Sequence, residues 1–99
     1  LYSHNDDMTF GVIEVMKEAG LAPGKDIVII SVDATQRSID YLREGTINCV
    51  IECNPNSGQQ VMELATRIVS GENVPKRTYI QETTFDEFGD LDSIANRGY

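Results

Sequence analysis

The sequence predicts an α/β fold, a parallel sheet with helices alternating along it, and three observations carry that prediction. Ile27, Val28, Ile29, Ile30 and Val32 form a β-branched run interrupted at Ser31 and ended by Asp33. Such a run is too short for a helix and suits a parallel strand buried on both faces. A second run, Ile47 to Cys53, stops at Asn54-Pro55-Asn56-Ser57-Gly58. Around these runs lie segments of helical apolar spacing that end in Gly20, Gly45 and Gly71. Alternation of this kind implies right-handed crossovers within one sheet.

In order, Leu1 to Ser3 read as the end of a first strand. Asn5, Asp6 and Asp7 stand where a helix N-cap belongs. The first helix is expected from about Asp7 to Ala19, with Phe10, Val12, Ile13, Val15, Met16 and Ala19 forming a broad apolar face. Gly20 suits its C-terminal cap, and Pro23-Gly24 turns the chain into the first complete strand. A second helix is expected from Thr35 to Glu44, with Ile39 and Leu42 inward, then a strand from Ile47 to Cys53. A third helix from Gly58 to Ser70 carries Val61, Met62, Leu64, Ala65, Ile68 and Val69. Arg77 to Phe85 alternates loosely and reads as an edge strand. Asp86 to Tyr99 is acidic, with few apolar side chains, and reads as a loosely attached tail.

Ninety-nine residues allow one small domain. The apolar fraction of 40% is enough for a packed core. No apolar run approaches the ~18 residues that cross a bilayer. Leu1-Tyr2-Ser3-His4 has no signal-peptide character, and the start at Leu1 suggests a piece of something longer. The formal net charge of −8 argues against a nucleic-acid binder, which must neutralise phosphates, and disfavours an anionic membrane surface. If Cys49 and Cys53 share a strand, their α-carbons lie roughly 13 Å apart, too far for a disulfide. Cysteine usage leaves the compartment open.

Three successive strands end in polar side chains: Asn5 after the first, Asp33 after the second, Glu52 and Cys53 after the third. In a parallel sheet these ends share one edge, where ligands of open α/β folds bind. Asn donates and accepts whereas Asp and Glu only accept, a mix that suits a polyhydroxylated ligand. The bland alternative is that Asn5 only caps a helix and Asp33 only starts a turn. From spacing alone both readings stay open.

Ser3-His4-Asn5-Asp6-Asp7-Met8, Ile29-Ile30-Ser31-Val32-Asp33-Ala34-Thr35 and Ile51-Glu52-Cys53-Asn54-Pro55 occur in that order. Gly71-Glu72-Asn73-Val74-Pro75-Lys76-Arg77 and the closing Asn96-Arg97-Gly98-Tyr99 follow. Together they resemble the last third of type I periplasmic sugar-binding proteins, the solute-binding components of bacterial ABC importers, nearest the ribose- and galactofuranose-type members. The resemblance implies a partial Rossmann-like lobe. Residues 1–85 would be the C-terminal part of the α/β domain, with 1–53 in the C-terminal lobe, 54–85 packing on the other lobe, and 86–99 an acidic C-terminal tail. It implies that Asn5 and Asp33 bond sugar hydroxyls. A third contact falls on Cys53 when counted from Gly45 and on Glu52 when counted from Gly58. Ribose-type members carry an amide there, so the sugar is left undefined. The implied partners are a monosaccharide and a membrane permease, with no cofactor, no metal and no catalysis. The implied location is periplasmic or extracellular, and lipoprotein anchoring is compatible with it. The third helix, without its other lobe, should leave an apolar face open to self-association.

Rival readings are weaker. The effector domain of a sugar-responsive transcription regulator shares the fold and similar strand-end motifs, but the closing Asn-Arg-Gly-Tyr favours transport. A phosphoryl-accepting receiver domain would use Asn5-Asp6-Asp7 and Asp33, but needs a strand-end lysine where Lys76 sits in a Pro-flanked connection. His4 has no second histidine or suitably spaced Cys pair to hold a metal. Asp86 to Asp92 lacks the spacing of a calcium loop.

Overall fold

A computed structural model describes residues 1–99. Helix α1 spans Asp6–Glu18, strand β1 Ile30–Asp33, helix α2 Gln36–Arg43, strand β2 Cys49–Glu52, helix α3 Gly58–Val69 and strand β3 Thr84–Asp86. A single 3-10 turn follows at Leu91–Ser93. No helix is long and apolar enough to cross a membrane.

The sheet runs β1-β2-β3. Strands β1 and β2 are parallel, with Ser31 opposite Val50 and Asp33 opposite Glu52. Leu1 to Ser3 do pair alongside β1 in parallel. The Ile30 N–H donates to Leu1 O and the Ser3 N–H to Ile30 O, both at 2.9 Å. The polar groups after each of these strands therefore reach one edge, as the alternation requires.

Helices α1 and α2 lie on the same face of the sheet. Phe10, Ile13 and Met16 of α1 join Ile39 and Leu42 of α2 over Ile29, Ile47 and Val50 in one core. Phe10 and Tyr41 meet edge to face at 5.5 Å across the two helices. Full burial of one such Ile or Leu side chain contributes about 1.5–3 kcal/mol. At the sheet's opposite end, the turn into β1 presses on the turn after α2. Gly24, at φ +78°, leaves no room for a β-carbon, which would stand 2.1 Å from Gly45 O. Buried Asn48 staples this end, accepting from the Ile29 N–H at 2.8 Å and donating to Gly24 O and Glu87.

Four expectations change. The β1 run is covered on one face only: Ile29 and Ser31 are buried, whereas Val28 is 59% exposed and Ile30 and Val32 are half-buried. Both crossovers bring their helices to the same side of the sheet, and α3 does not cover the other. The α1 face is narrower than its composition suggests, since Val12, Val15 and Ala19 are exposed.

The third change concerns β3, which is shorter than Arg77–Phe85 and antiparallel, with Val50 opposite Phe85. The cause is α3. It packs no residue into the core, and Val61, Met62, Ile68 and Val69 all stand exposed. A helix that does not fold back over the sheet leaves the chain at the strands' carboxyl edge, and re-entry from that edge runs antiparallel.

Finally, the C-terminal segment is not loose. The Gln36 N–H donates to Tyr99 O and the Arg97 N–H to Gln36 Oε1, both at 2.7 Å. Arg43 donates to Leu91 O and Ile94 O. Phe85, Leu91 and Ile94 pack against the core. The acidic composition concealed a strap anchored by Arg43, Gln36 and its own Arg97.

Candidate functional site

The strand-end edge is built from the N-terminus of α1 and the exit of β1. Asn5 is extended and its side-chain oxygen accepts from the N–H groups of Asp7 and Met8, at 2.9 and 3.2 Å. That oxygen is consumed by capping. The nitrogen of the same amide points the other way and donates to Asp33 Oδ2 at 2.8 Å. The Asp6 N–H also reaches Asp33 Oδ2, at 3.2 Å. The capping reading of Asn5 holds, and the other end of the same amide meets Asp33.

This pairing leaves capacity at the rim. The second hydrogen on Asn5 Nδ2 and the whole of Asp33 Oδ1 have no hydrogen-bond partner in the chain. A donor and an acceptor thus stand side by side on half-buried residues. One hydroxyl, or two vicinal ones, needs this combination.

The backbone beneath is unusual. Asp33 has φ 123° and Ala34 φ 65°, and neither is glycine. Such conformations cost about 1–3 kcal/mol each and persist only where surrounding contacts enforce them. Here they turn the chain out of β1 so that the Asp33 carboxylate lies beside Asn5 rather than along the strand. Ala34 is fully buried, which bars a larger side chain at the bend.

Asp6, which the sequence reading placed in a helix cap and, in the rival receiver reading, in an acidic cluster, lies 1% exposed under this bend. Its carboxylate accepts from the Ser31 hydroxyl at 2.6 Å and from both the N–H and the hydroxyl of Thr35 at 2.8 Å. Thr9 links Ser31 back to Asn5, with its hydroxyl 2.8 Å from Ser31 Oγ and donating to Asn5 O at 2.9 Å. One signal could have shown this network: Ser31 is a polar side chain on the buried face of an otherwise β-branched strand, and such a group needs partners.

The third strand end separates its two candidates. The Glu52 carboxylate is 6% exposed and already engaged. It pairs with the Arg97 guanidinium and accepts from the Thr83 N–H at 2.9 Å, the Tyr99 hydroxyl at 3.1 Å and the Asn54 amide at 3.3 Å. Burial alone would push its pKa up, but hydrogen bonds from Arg97 and the Thr83 N–H, with the Arg97 charge and Tyr99, hold it below the ordinary value. Burial likewise opposes charge on Arg97, yet Tyr99 and Glu52 raise its pKa. Cys53 is exposed, and its N–H donates to Asp33 O at 3.1 Å, which sets it next to the Asn5–Asp33 pair. The structure therefore brings Asn5, Asp33 and Cys53 to one rim and turns Glu52 toward the chain's own end. Arg97 and Tyr99 lie too far along the sequence for local spacing to connect them with Glu52.

The rim is open. The largest concavity in the molecule, about 480 Å³, lies elsewhere, between β3 and the strap, lined by Phe85, Asp86, Leu91, Ile94 and Arg97 among others. The strand-end groups form one wall rather than an enclosure.

Comparison with known proteins gives a consistent set of relatives. Residues 1–73 match the family model described as a periplasmic binding protein domain. The galactofuranose-binding protein YtfQ of Escherichia coli (strain K12) is 31% identical over 106 residues, covering all of this chain and 32% of that protein. A Mycobacterium smegmatis crystal structure in complex with β-D-fucofuranose superposes with a TM-score of 0.82 at 41% identity, over 87% of this chain and 28% of that one. The binding component of the arabinose ABC transporter from Shewanella sp. ANA-3, bound to α- and β-L-arabinofuranose, gives a TM-score of 0.78 at 31% identity over 87% of this chain and 29% of that one. The chain spans about a third of the length of the curated relatives it matches.

Proposed function

This chain belongs to the periplasmic binding protein domain family, and on that premise we propose that it supplies one wall of a monosaccharide site serving an ABC importer. The observation that carries this reading is the Asn5–Asp33 pair, 2.8 Å apart at the carboxyl edge of parallel strands, with a donor and an acceptor still free. Asn5 donates to a sugar hydroxyl through its second amide hydrogen, and Asp33 accepts one through Oδ1. Cys53 forms the third corner. A thiol is a weak donor and soft contact, so this corner suits a carbon-bound hydrogen or a poorly matched hydroxyl better than a full polar contact. Glu52 is assigned to holding the strap.

The ligands named for the relatives, galactofuranose, β-D-fucofuranose and L-arabinofuranose, support a five-membered sugar ring. The role is binding without chemistry on the ligand. In the whole protein the partner is a membrane permease and the location periplasmic or extracellular, where lipoprotein anchoring would hold the protein at the membrane.

Selectivity on such a wall comes from matching hydroxyls, since a buried polar group left unmatched costs about 1–3 kcal/mol. A single open wall should bind weakly. The test is an amide NMR titration of the 99-residue chain with L-arabinose and with a methyl galactofuranoside. Weak, saturable shifts at the Asn5 side-chain amide, Asp33, Ala34 and Cys53, lost in Asp33→Ala, are expected. Shifts located elsewhere, or none at tens of millimolar sugar, would overturn the reading.

A further inference from the structure

We propose that Asp6 is the positioning residue of the sugar-binding rim: its buried carboxylate locks the Asp33–Ala34 bend and so aims the Asp33 carboxylate at Asn5. The proposal rests on the reading above only for its functional meaning; the clamp itself stands on geometry. Asp6 accepts hydrogen bonds from both sides of the bend. Ser31 lies two residues before Asp33 and bonds at 2.6 Å, whereas Thr35 lies immediately after Ala34 and bonds twice at 2.8 Å. One side chain thus spans the two positive-φ residues, and any relaxation of their backbone would pull Thr35 or Ser31 away from it.

The clamp is rigid because its own position is fixed. Asp6 is the first residue of α1, where the helix N-terminus favours a negative group, and its N–H is held by Asp33 Oδ2 at 3.2 Å. The contact is reciprocal: Asp33 holds the backbone of Asp6, and the Asp6 side chain holds the backbone around Asp33. Asn5 sits between them in sequence and inherits its placement from both. No water-exposed group could do this, because a solvated carboxylate would exchange its partners with water. Asp6 is buried, and none of its three donors bonds a second carboxylate.

Because Gly adopts positive φ without penalty, the strain that the clamp imposes on residue 34 disappears if that residue is glycine. The experiment compares wild type, Asp6→Asn, Ala34→Gly and the double variant. It reads the urea midpoint and the intraresidue HN–Hα NOE of residue 34, which is strong only at positive φ. Asparagine replaces one acceptor oxygen by a donor facing other donors. Asp6→Asn is expected to lower the midpoint and weaken the NOE at Ala34. Ala34→Gly should raise the midpoint more in the wild-type background, where residue 34 is held at positive φ, than in Asp6→Asn, where the bend has already relaxed.

An intact NOE in folded Asp6→Asn would overturn the proposal. So would a glycine effect equal in both backgrounds, because a merely structural Asp6 leaves the bend equally strained with and without it. If Asp6→Asn does not fold, Thr35→Ala, which removes one arm of the clamp, takes its place in the same comparison and is read by the same criteria. These readouts need no sugar. A disarmed bend in a chain that never responds to sugar sinks the binding role and leaves the clamp, and the converse result does the opposite.

Discussion

At the start of α1, the single amide of Asn5 divides its two ends between stability and recognition. Capping residues of this kind contribute about 0.5–2 kcal/mol, and serine caps nearly as well as asparagine. Asn5→Ala should therefore lower stability by about 1–2 kcal/mol in urea titrations, adding the lost Asp33 contact to the lost cap. Asn5→Ser should cost about half as much, yet abolish the sugar-dependent shifts as fully as alanine does. Retained shifts in Asn5→Ser would mean the amide nitrogen is not the recognising atom. Glu52 makes a separate prediction from its lowered pKa. A carboxylate held below its unfolded value stabilises the fold fully above about 4.5 and loses that contribution as the pH falls through the folded value. Urea midpoints measured down a pH series should fall through this window in wild type. Glu52→Gln should start lower and show a flatter acid limb; an unchanged limb would place the acid sensitivity on another carboxylate.

Among the elements, the acidic strap is held against the core while the apolar-faced α3 is not. Arg97→Ala leaves the nearly buried Glu52 carboxylate without its cation, a loss of about 3–5 kcal/mol for a pair of this kind. Val61→Lys on α3 touches nothing and should change stability by less than about 0.5 kcal/mol. Equal effects in chemical denaturation would show that the strap is no better held than α3. What could be read beforehand follows the same division. The parallel pairing of Leu1–Ser3, β1 and β2 was legible because local apolar runs and glycine stops specify it, and Asn5 and Asp33 were legible because strand ends converge whenever the strands are parallel. The direction of β3 was not, since it depends on where α3 goes, and α3 has an apolar face with no partner in this chain. The strap was illegible for another reason. Its energy resides in Arg97, Tyr99 and Gln36 meeting groups some 45 to 63 positions away, for which composition carries no signal.

The whole molecule is long for its size. Its Cα radius of gyration is 17.3 Å, against about 13 Å for a compact chain of this length, and it extends 60 × 26 × 19 Å. The apolar side chains of α3 and the uncovered sheet face, Val28 among them, leave apolar area open. Sedimentation velocity across a concentration series should show a rising weight-average mass, and Met62→Lys with Ile68→Lys should restore the monomer; a wild-type monomer at every concentration would refute self-association. The two sulfurs, finally, sit in unequal surroundings. Cys49 is half-buried in β2, where burial and nearby Asp86 raise its pKa, whereas Cys53 stands in solvent beside Asp33. A thiol-reactive fluorophore offered at neutral pH should therefore attach at Cys53 without any engineering. It would turn the native protein into an optical gauge of whatever settles on that edge.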